Sequence, residues 1–270
     1  MALLLGLVVG SFLNVVIHRL PIMLERSWRK ECEEFLTGGT MPPVEESMQS
    51  DPSKQPSPYN LLVPRSFCPH CGHQISAIEN IPLLSWLFLR GRCASCGSRI
   101  SIQYPLVELF TGLLTLAAAM AFDDNWQTVF AWGLIWVLIT AAVIDLKTTL
   151  LPDMLTLPLM WAGILIAWLG IGTNVSLEDA VMGAIAGYLV LWTLYWVFKL
   201  LTGKEGMGFG DFKLLAAIGA WVGWQLLPAV ILLSSLVGAI VGITLILARG
   251  HDRNTPIPYG PYLAAAGLLA

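Results

Sequence analysis

Apolar runs recur along the chain with few polar interruptions, and most approach the ~20 residues a helix needs to cross a ~30 Å hydrocarbon core. Hydropathy and helix breakers place eight helices, at residues 2–18, 104–122, 128–145, 154–171, 179–200, 211–224, 226–248 and 257–270. The punctuation is weakest between Leu214 and Ala248, a stretch too long for one straight helix and short for two, where only Gln225 and Pro228 interrupt the pattern. The first run, Ala2 to Val16, has no basic residues before it and His18 and Arg19 after it, so it is expected to be a retained span and not a cleaved signal peptide. A long polar segment then separates this helix from the other seven. The expectation is an all-α polytopic membrane protein with a first transmembrane helix at 1–18, a loop domain at 19–103 and a seven-helix core at 104–270. Within the loop domain, residues 38–58 are rich in Pro, Ser and Glu and read as a flexible insert.

Composition supports this class: 56% of residues are hydrophobic, mean hydropathy is +0.70, and 12% are charged, against roughly 25% in soluble domains. The placement of charge adds orientation. With eight spans, all 15 lysines and arginines fall on one side, while the opposite loops carry Asp123, Asp124, Glu178 and Asp179. Merging 214–248 into one crossing would move Arg249 and Arg253 to the other side. The positive-inside rule makes the basic side cytoplasmic, so the loop domain is expected in the cytoplasm and the helices in membrane lipid. A net charge of −3 without a basic cluster gives no footprint for nucleic acid. The oligomeric state is not set by any of these features.

The polar loop contains Cys68-Pro-His-Cys71-Gly and Cys93-Ala-Ser-Cys96-Gly, with 21 residues between Cys71 and Cys93. Two tight turns that each offer two thiolates suit one tetrahedral metal, with Zn2+ the best match. Four thiolates leave no open coordination position, so such a centre would be structural. A pair of disulfides is the alternative, disfavoured in a reducing compartment. His70 and His73 lie near enough to be alternative ligands, and Cys32 is left over as an unpaired thiol.

Acidic residues in or at the ends of apolar spans are costly, and each is a candidate functional group. Glu108 lies one turn into the second span, Asp145 ends the third, and Asp211 opens the sixth within Gly208-Phe-Gly-Asp-Phe-Lys213. An interfacial cap or a polar helix contact is the plain reading for any one of them. Asp145 and Asp211 differ in that the topology puts both at one depth on one side. Two carboxylates that meet there, one ionised and one protonated, could activate water for attack on a peptide carbonyl. Glycines at 203, 206, 208 and 210 would let an extended substrate approach closely. The helix dipole at Asp211 suggests that it is the more readily ionised partner. Asp153, in Leu-Pro-Asp, and Asp252 read as loop or cap residues, Asp153 being a second-rank accessory to the pair.

Taken in order, these segments resemble the bacterial type IV prepilin peptidases, bifunctional leader peptidases and N-methyltransferases of the GxGD class of membrane aspartyl proteases. The resemblance is carried by Gly10-Ser-Phe-Leu-Asn14 with His18-Arg-Leu-Pro21, the CxxC pair, Asn80 to Trp86 with Arg90-Gly-Arg-Cys93, and Tyr104-Pro-Leu-Val-Glu108. It continues through Asp145-Leu-Lys with Leu151-Pro-Asp153, then Gly206 to Lys213 and Ile257-Pro-Tyr-Gly-Pro261. It implies that Asp145 and Asp211 are catalytic, with Gly208, Gly210 and Lys213 as motif support. The substrates it implies are type IV prepilins or type II secretion pseudopilins, cleaved after a glycine at the cytoplasmic membrane face. It further implies S-adenosylmethionine-dependent methylation of the new N-terminus, associated with Gly91, Cys68, Cys71, Cys93 and Cys96. Two other readings stay open: a transporter with a docking loop, and a GxGD protease without methyltransferase activity.

Overall fold

The computed structural model describes residues 1–36, 59–76, 78–122, 125–204, 206–249 and 258–270, and every regular element among them is a helix. The insert at 38–58, Lys54, Asp123, Asp124, Asp252 and Arg253 lie outside the described residues. Nine helices are described: α1 (Ala2–Leu36), α2 (Leu84–Phe88), α3 (Gln103–Ala121), α4 (Asn125–Thr148), α5 (Asp153–Leu169), α6 (Leu177–Thr202), α7 (Phe209–Val222), α8 (Leu227–Arg249) and α9 (Gly260–Leu269). All except the short α2 lie where the hydropathy pattern puts a helix. Five stretches, in α1, α3, α4 and α6 and at Trp224–Leu245, are long and apolar enough to cross a membrane. The others are shorter: α7, with 14 residues, spans only about 21 Å at 1.5 Å per residue.

Two boundaries differ from expectation for identifiable reasons. Helix α1 does not stop at His18. It continues through Pro21 to Leu36, and its polar end is reinforced one turn apart by Arg29 with Glu25 (2.6 Å) and Ser27 with Glu31 (2.9 Å). The ambiguous stretch 214–248 divides at Gly223, whose φ of +80° suits glycine and ends α7 before the break expected at Gln225.

The bundle has two apolar cores joined by α4. One is built by α1, α3 and α4 around Ile17, Leu20, Val107 and Ile144. The other surrounds α7, whose residues Phe212 and Leu214 to Ala220 are buried among α5, α6 and α9. A helix apolar on all faces belongs at the centre of such an assembly. Small residues permit the closest approaches. A Cβ on Gly6 of α1 would meet Thr115 Cβ of α3 at 2.7 Å, and one on Gly187 of α6 would meet Leu215 O of α7 at 2.6 Å. Gly183 of α6 and Gly219 of α7 lie backbone to backbone. Replacement of Gly183 by Leu should therefore force α6 from α7 and destabilise the bundle by about 3 kcal/mol or more, read as a lower unfolding temperature in detergent.

Connectivity fixes which helix ends share a level. The α5–α6 connection, against the start of α4, and the α7–α8 connection lie at one end of the bundle; the α4–α5 and α6–α7 connections and the start of α9 lie at the other, together with the loop domain. The loop domain is held to that end by two buried charged groups. Arg19 of α1 donates to the carbonyls of Asn60 (2.9 Å), Leu61 (3.3 Å) and Pro64 (2.6 Å), and Glu108 of α3 accepts the Leu83 N–H at 2.8 Å. The Glu108 carboxylate thus joins the loop domain to the bundle and also meets the Ser11 hydroxyl of α1.

Candidate active site and four-cysteine centre

The two CxxCG segments fold into matching turns. Gly72 and Gly97 share a φ of +71°, and their N–H groups donate to the carbonyls of Cys68 (2.9 Å) and Cys93 (3.0 Å). Each turn is closed again by its flanking backbone, Cys68 N–H to His73 O (2.9 Å) and Cys93 N–H to Ser98 O (2.8 Å). The result is four free thiols converging from two symmetric knuckles, with Cys68 and Cys96 Sγ 3.9 Å apart, Cys71 and Cys93 Sγ 4.0 Å apart, and all four within 4.8 Å. A tetrahedron of sulfurs about 2.3 Å from a metal has edges of about 3.8 Å, so the cluster fits a metal ion, and its spacings are not those of disulfide bonds.

Thiol electrostatics agree with this fit. The His70 backbone N–H, followed by the Ser98 hydroxyl, pulls the Cys68 thiol down to about 6. At Cys71 the His73 N–H acts in the same sense, but burial and the sulfurs of Cys96, Cys68 and Cys93 outweigh it and push the thiol up to about 11. Four thiolates this close need a cation to coexist. The converging ligand atoms are the four sulfurs, with neither His70 nor His73 in the group, and His73 Nε2 pairs instead with Glu79 at 3.2 Å. Gly91 closes the same small domain. It has a φ of +66°, receives Ile100 N–H on its carbonyl (2.7 Å), and a Cβ there would meet the Trp86 ring at 2.9 Å.

At the loop-domain end of the bundle, Asp145 occupies the last turn of α4 and Asp211 the first turn of α7, 5% and 7% exposed respectively. Both lie around Leu151, which packs against Gly210, the residue before Asp211, and against Gly260, whose N–H meets Asp145. Their partners differ. Asp145 Oδ2 accepts the Gly260 N–H at the start of α9 (3.0 Å), whereas Asp211 Oδ1 is buried without a hydrogen-bond partner.

The nearby glycines separate into distinct roles. Gly203 caps α6 with a φ of +71°, and a Cβ on Gly206 would meet the Phe198 ring at 2.8 Å. Gly210 packs on Leu151, where a Cβ would come within 2.7 Å of the Leu151 Cβ, so its lack of a side chain serves packing. Gly203 and Gly208 both leave open space, and of the two it is Gly208, the N-cap of α7, that adjoins the aspartates, a Cβ there lying 3.8 Å from Asp211 Oδ2. Lys213 and Asp153 are paired with each other, Nζ lying 2.7 Å from both carboxylate oxygens, and so tie α7 to the start of α5 beside the two aspartates. Gly260 carries a site contact that residue-type reasoning missed. Its only signal in the sequence was the Pro-Tyr-Gly-Pro run, which has the φ restriction of a sharp helix start.

Two family models match the chain, one on each side of the α3–α4 boundary. A family model described as the bacterial peptidase A24 N-terminal domain matches residues 4–122, and one described as the type IV leader peptidase family matches 132–243. Curated relatives named prepilin leader peptidase/N-methyltransferase include one from Aeromonas hydrophila, 61% identical over 99% of this chain and 88% of that protein. Others are from Stutzerimonas stutzeri, 53% identical over 100% and 88%, and Pseudomonas aeruginosa, 52% identical over 99% and 88%. No solved structure matches. With the four cysteines inside the first matched region, both buried aspartates inside the second, and identity above half across nearly its whole length, the chain belongs to the type IV leader peptidase family.

Proposed function

We propose that this chain is a bifunctional membrane enzyme: an aspartyl endopeptidase that removes the leader from type IV prepilins or type II secretion pseudopilins, and an N-methyltransferase acting on the new N-terminus. The observation that carries the peptidase half is the buried Asp145–Asp211 pair at the loop-domain end of the bundle. Each carboxylate has a backbone N–H neighbour, Gly260 at Asp145 and Gly208 at Asp211, but Asp211 keeps one oxygen, Oδ1, buried without a donor, which suits the protonated state. We therefore assign Asp145 as the base that takes a proton from the attacking water. Asp211 is the acid that hydrogen-bonds the scissile carbonyl and gives its proton as the tetrahedral species forms. This assignment replaces the order expected from the helix dipole alone. As the tetrahedral species collapses, Asp145 gives its proton to the departing amine and a hydroxyl of that species returns one to Asp211, which restores the pair. The open backbone at Gly208 is the place for the extended substrate segment, and the Lys213–Asp153 pair holds the α5 and α7 ends in register.

In the methyltransferase half, the amine freed by cleavage attacks the methyl carbon of S-adenosylmethionine, the carbon–sulfur bond breaks to release S-adenosylhomocysteine, and the methylated amine loses a proton. The loop domain supports this step. Cys68, Cys71, Cys93 and Cys96 would hold Zn2+ as a structural ion, and Gly91 lets Trp86 pack against the knuckles. The uneven charge distribution supports placing both centres on the cytoplasmic face of the inner membrane. The proposal is tested by incubating the purified chain with full-length prepilin and methyl-labelled S-adenosylmethionine. Release of the leader and label on the mature N-terminus are expected; intact prepilin would refute the peptidase half, and cleaved but unlabelled pilin the methyltransferase half.

A further inference from the structure

Asp145 owes its fixed donor to α9, the start of which is itself pinned by a hydroxyl chain. The Tyr259 hydroxyl, one residue before Gly260, lies 2.7 Å from Ser234 Oγ and 3.1 Å from Ser235 Oγ on α8. Ser234 is fully buried and donates its own proton to Ile231 O at 3.1 Å. A serine hydroxyl has one proton to donate, so Ser234 accepts from Tyr259, and Ser235 is left to donate to the Tyr259 oxygen. Every donor in the chain is thereby assigned a direction. The clamp fixes the first residue of α9, and Gly260 presents its N–H to Asp145 from that position. The approach admits no side chain: a Cβ on Gly260 would lie 2.7 Å from Asp145 Oδ2 and 3.1 Å from Leu151 Cδ1. Leu151 is also the residue on which Gly210 packs, so one leucine separates the α9 start from the Gly-Asp start of α7.

We propose that Ser234, Ser235, Tyr259 and Gly260 form a positioning relay that holds the Asp145 carboxylate in its working orientation through the Gly260 N–H. This rests on the reading of Asp145 as a member of the catalytic pair. The relay acts on the chemical step and not on prepilin binding, and it has no part in methyl transfer.

The test measures leader cleavage in detergent for Tyr259→Phe, Ser234→Ala, their double variant and Gly260→Ala, with Asp145→Asn alongside. Each variant is also supplied with pre-cleaved pilin and labelled S-adenosylmethionine. Loss of one positioning hydrogen bond should lower kcat about five-fold or more in Tyr259→Phe at unchanged KM. The double variant should be no worse than the poorer single one, because the two hydroxyls act as one unit. Gly260→Ala should lose about a hundred-fold, since a displacement near 1 Å at a reacting group has that effect. All four should methylate pre-cleaved pilin at the unaltered rate. Wild-type kcat in Tyr259→Phe, a rise in KM alone, or a parallel fall in cleavage and methylation would each overturn the relay. Active Asp145→Asn would instead overturn the reading on which it rests.

Discussion

Asp145→Asn and Asp211→Asn should each lower leader cleavage by about three orders of magnitude or more, and the double variant should be little worse than either alone. General acid–base groups contribute typically 10²–10⁴-fold each, and residues that act as one unit are strongly non-additive on removal. Both side chains are buried at one end of the bundle, and each has its own task, so neither can substitute for the other: with one amide, the pair retains a base or an acid but never both. Asparagine keeps the shape, and the Gly260 N–H can still donate to its amide oxygen, so both variants should insert and fold normally. Purified variants should bind prepilin with unchanged affinity while failing to turn it over.

The second large effect is expected at the four cysteines. Cys68→Ser, or removal of the ion with a strong chelator, should unfold the small domain around residues 66–100 and abolish methyl transfer. Structural zinc contributes about 10–16 kcal/mol of apparent folding free energy in small isolated sites, far more than a domain closed by two isolated bridges, Phe67 with Gln74 and Arg92 with Arg99, can supply. Proteolysis should then cut this segment while the membrane bundle stays intact. Cleavage should decline less than methylation, because the domain reaches the bundle through Arg19 and Glu108 and the aspartates are held by α4, α7 and α9. Thiol titration and metal analysis of the same samples check the stoichiometry, with one zinc per chain expected.

The features legible in the sequence were those with a steep physical signature. Apolar runs placed every long helix, and two CxxCG units could close around one metal because each glycine adopts the positive φ that such a turn requires. Asp145 and Asp211 were found at one end of the bundle because counting spans from charge alone gives their depth. Features that depend on packing were hidden. Gly210 presses on Leu151 and Gly183 on Gly219, contacts between distant segments that no local pattern reports. Gly223 and not Gln225 breaks the long apolar stretch, since a single glycine is weak punctuation until its φ is known. The extension of α1 to Leu36 follows from one-turn polar pairs that a hydropathy scan discards. Arg19 was counted only as a basic residue after a span; its three carbonyl partners lie more than 40 positions away.

The central claim, that Asp145 and Asp211 together cut the prepilin leader, is tested most directly by mass spectrometry of a prepilin coexpressed with each asparagine variant. The account predicts precursor with its leader attached and its N-terminus unmethylated in both cases, from membranes that contain the variant at normal abundance. Mature, processed pilin from either variant would contradict it.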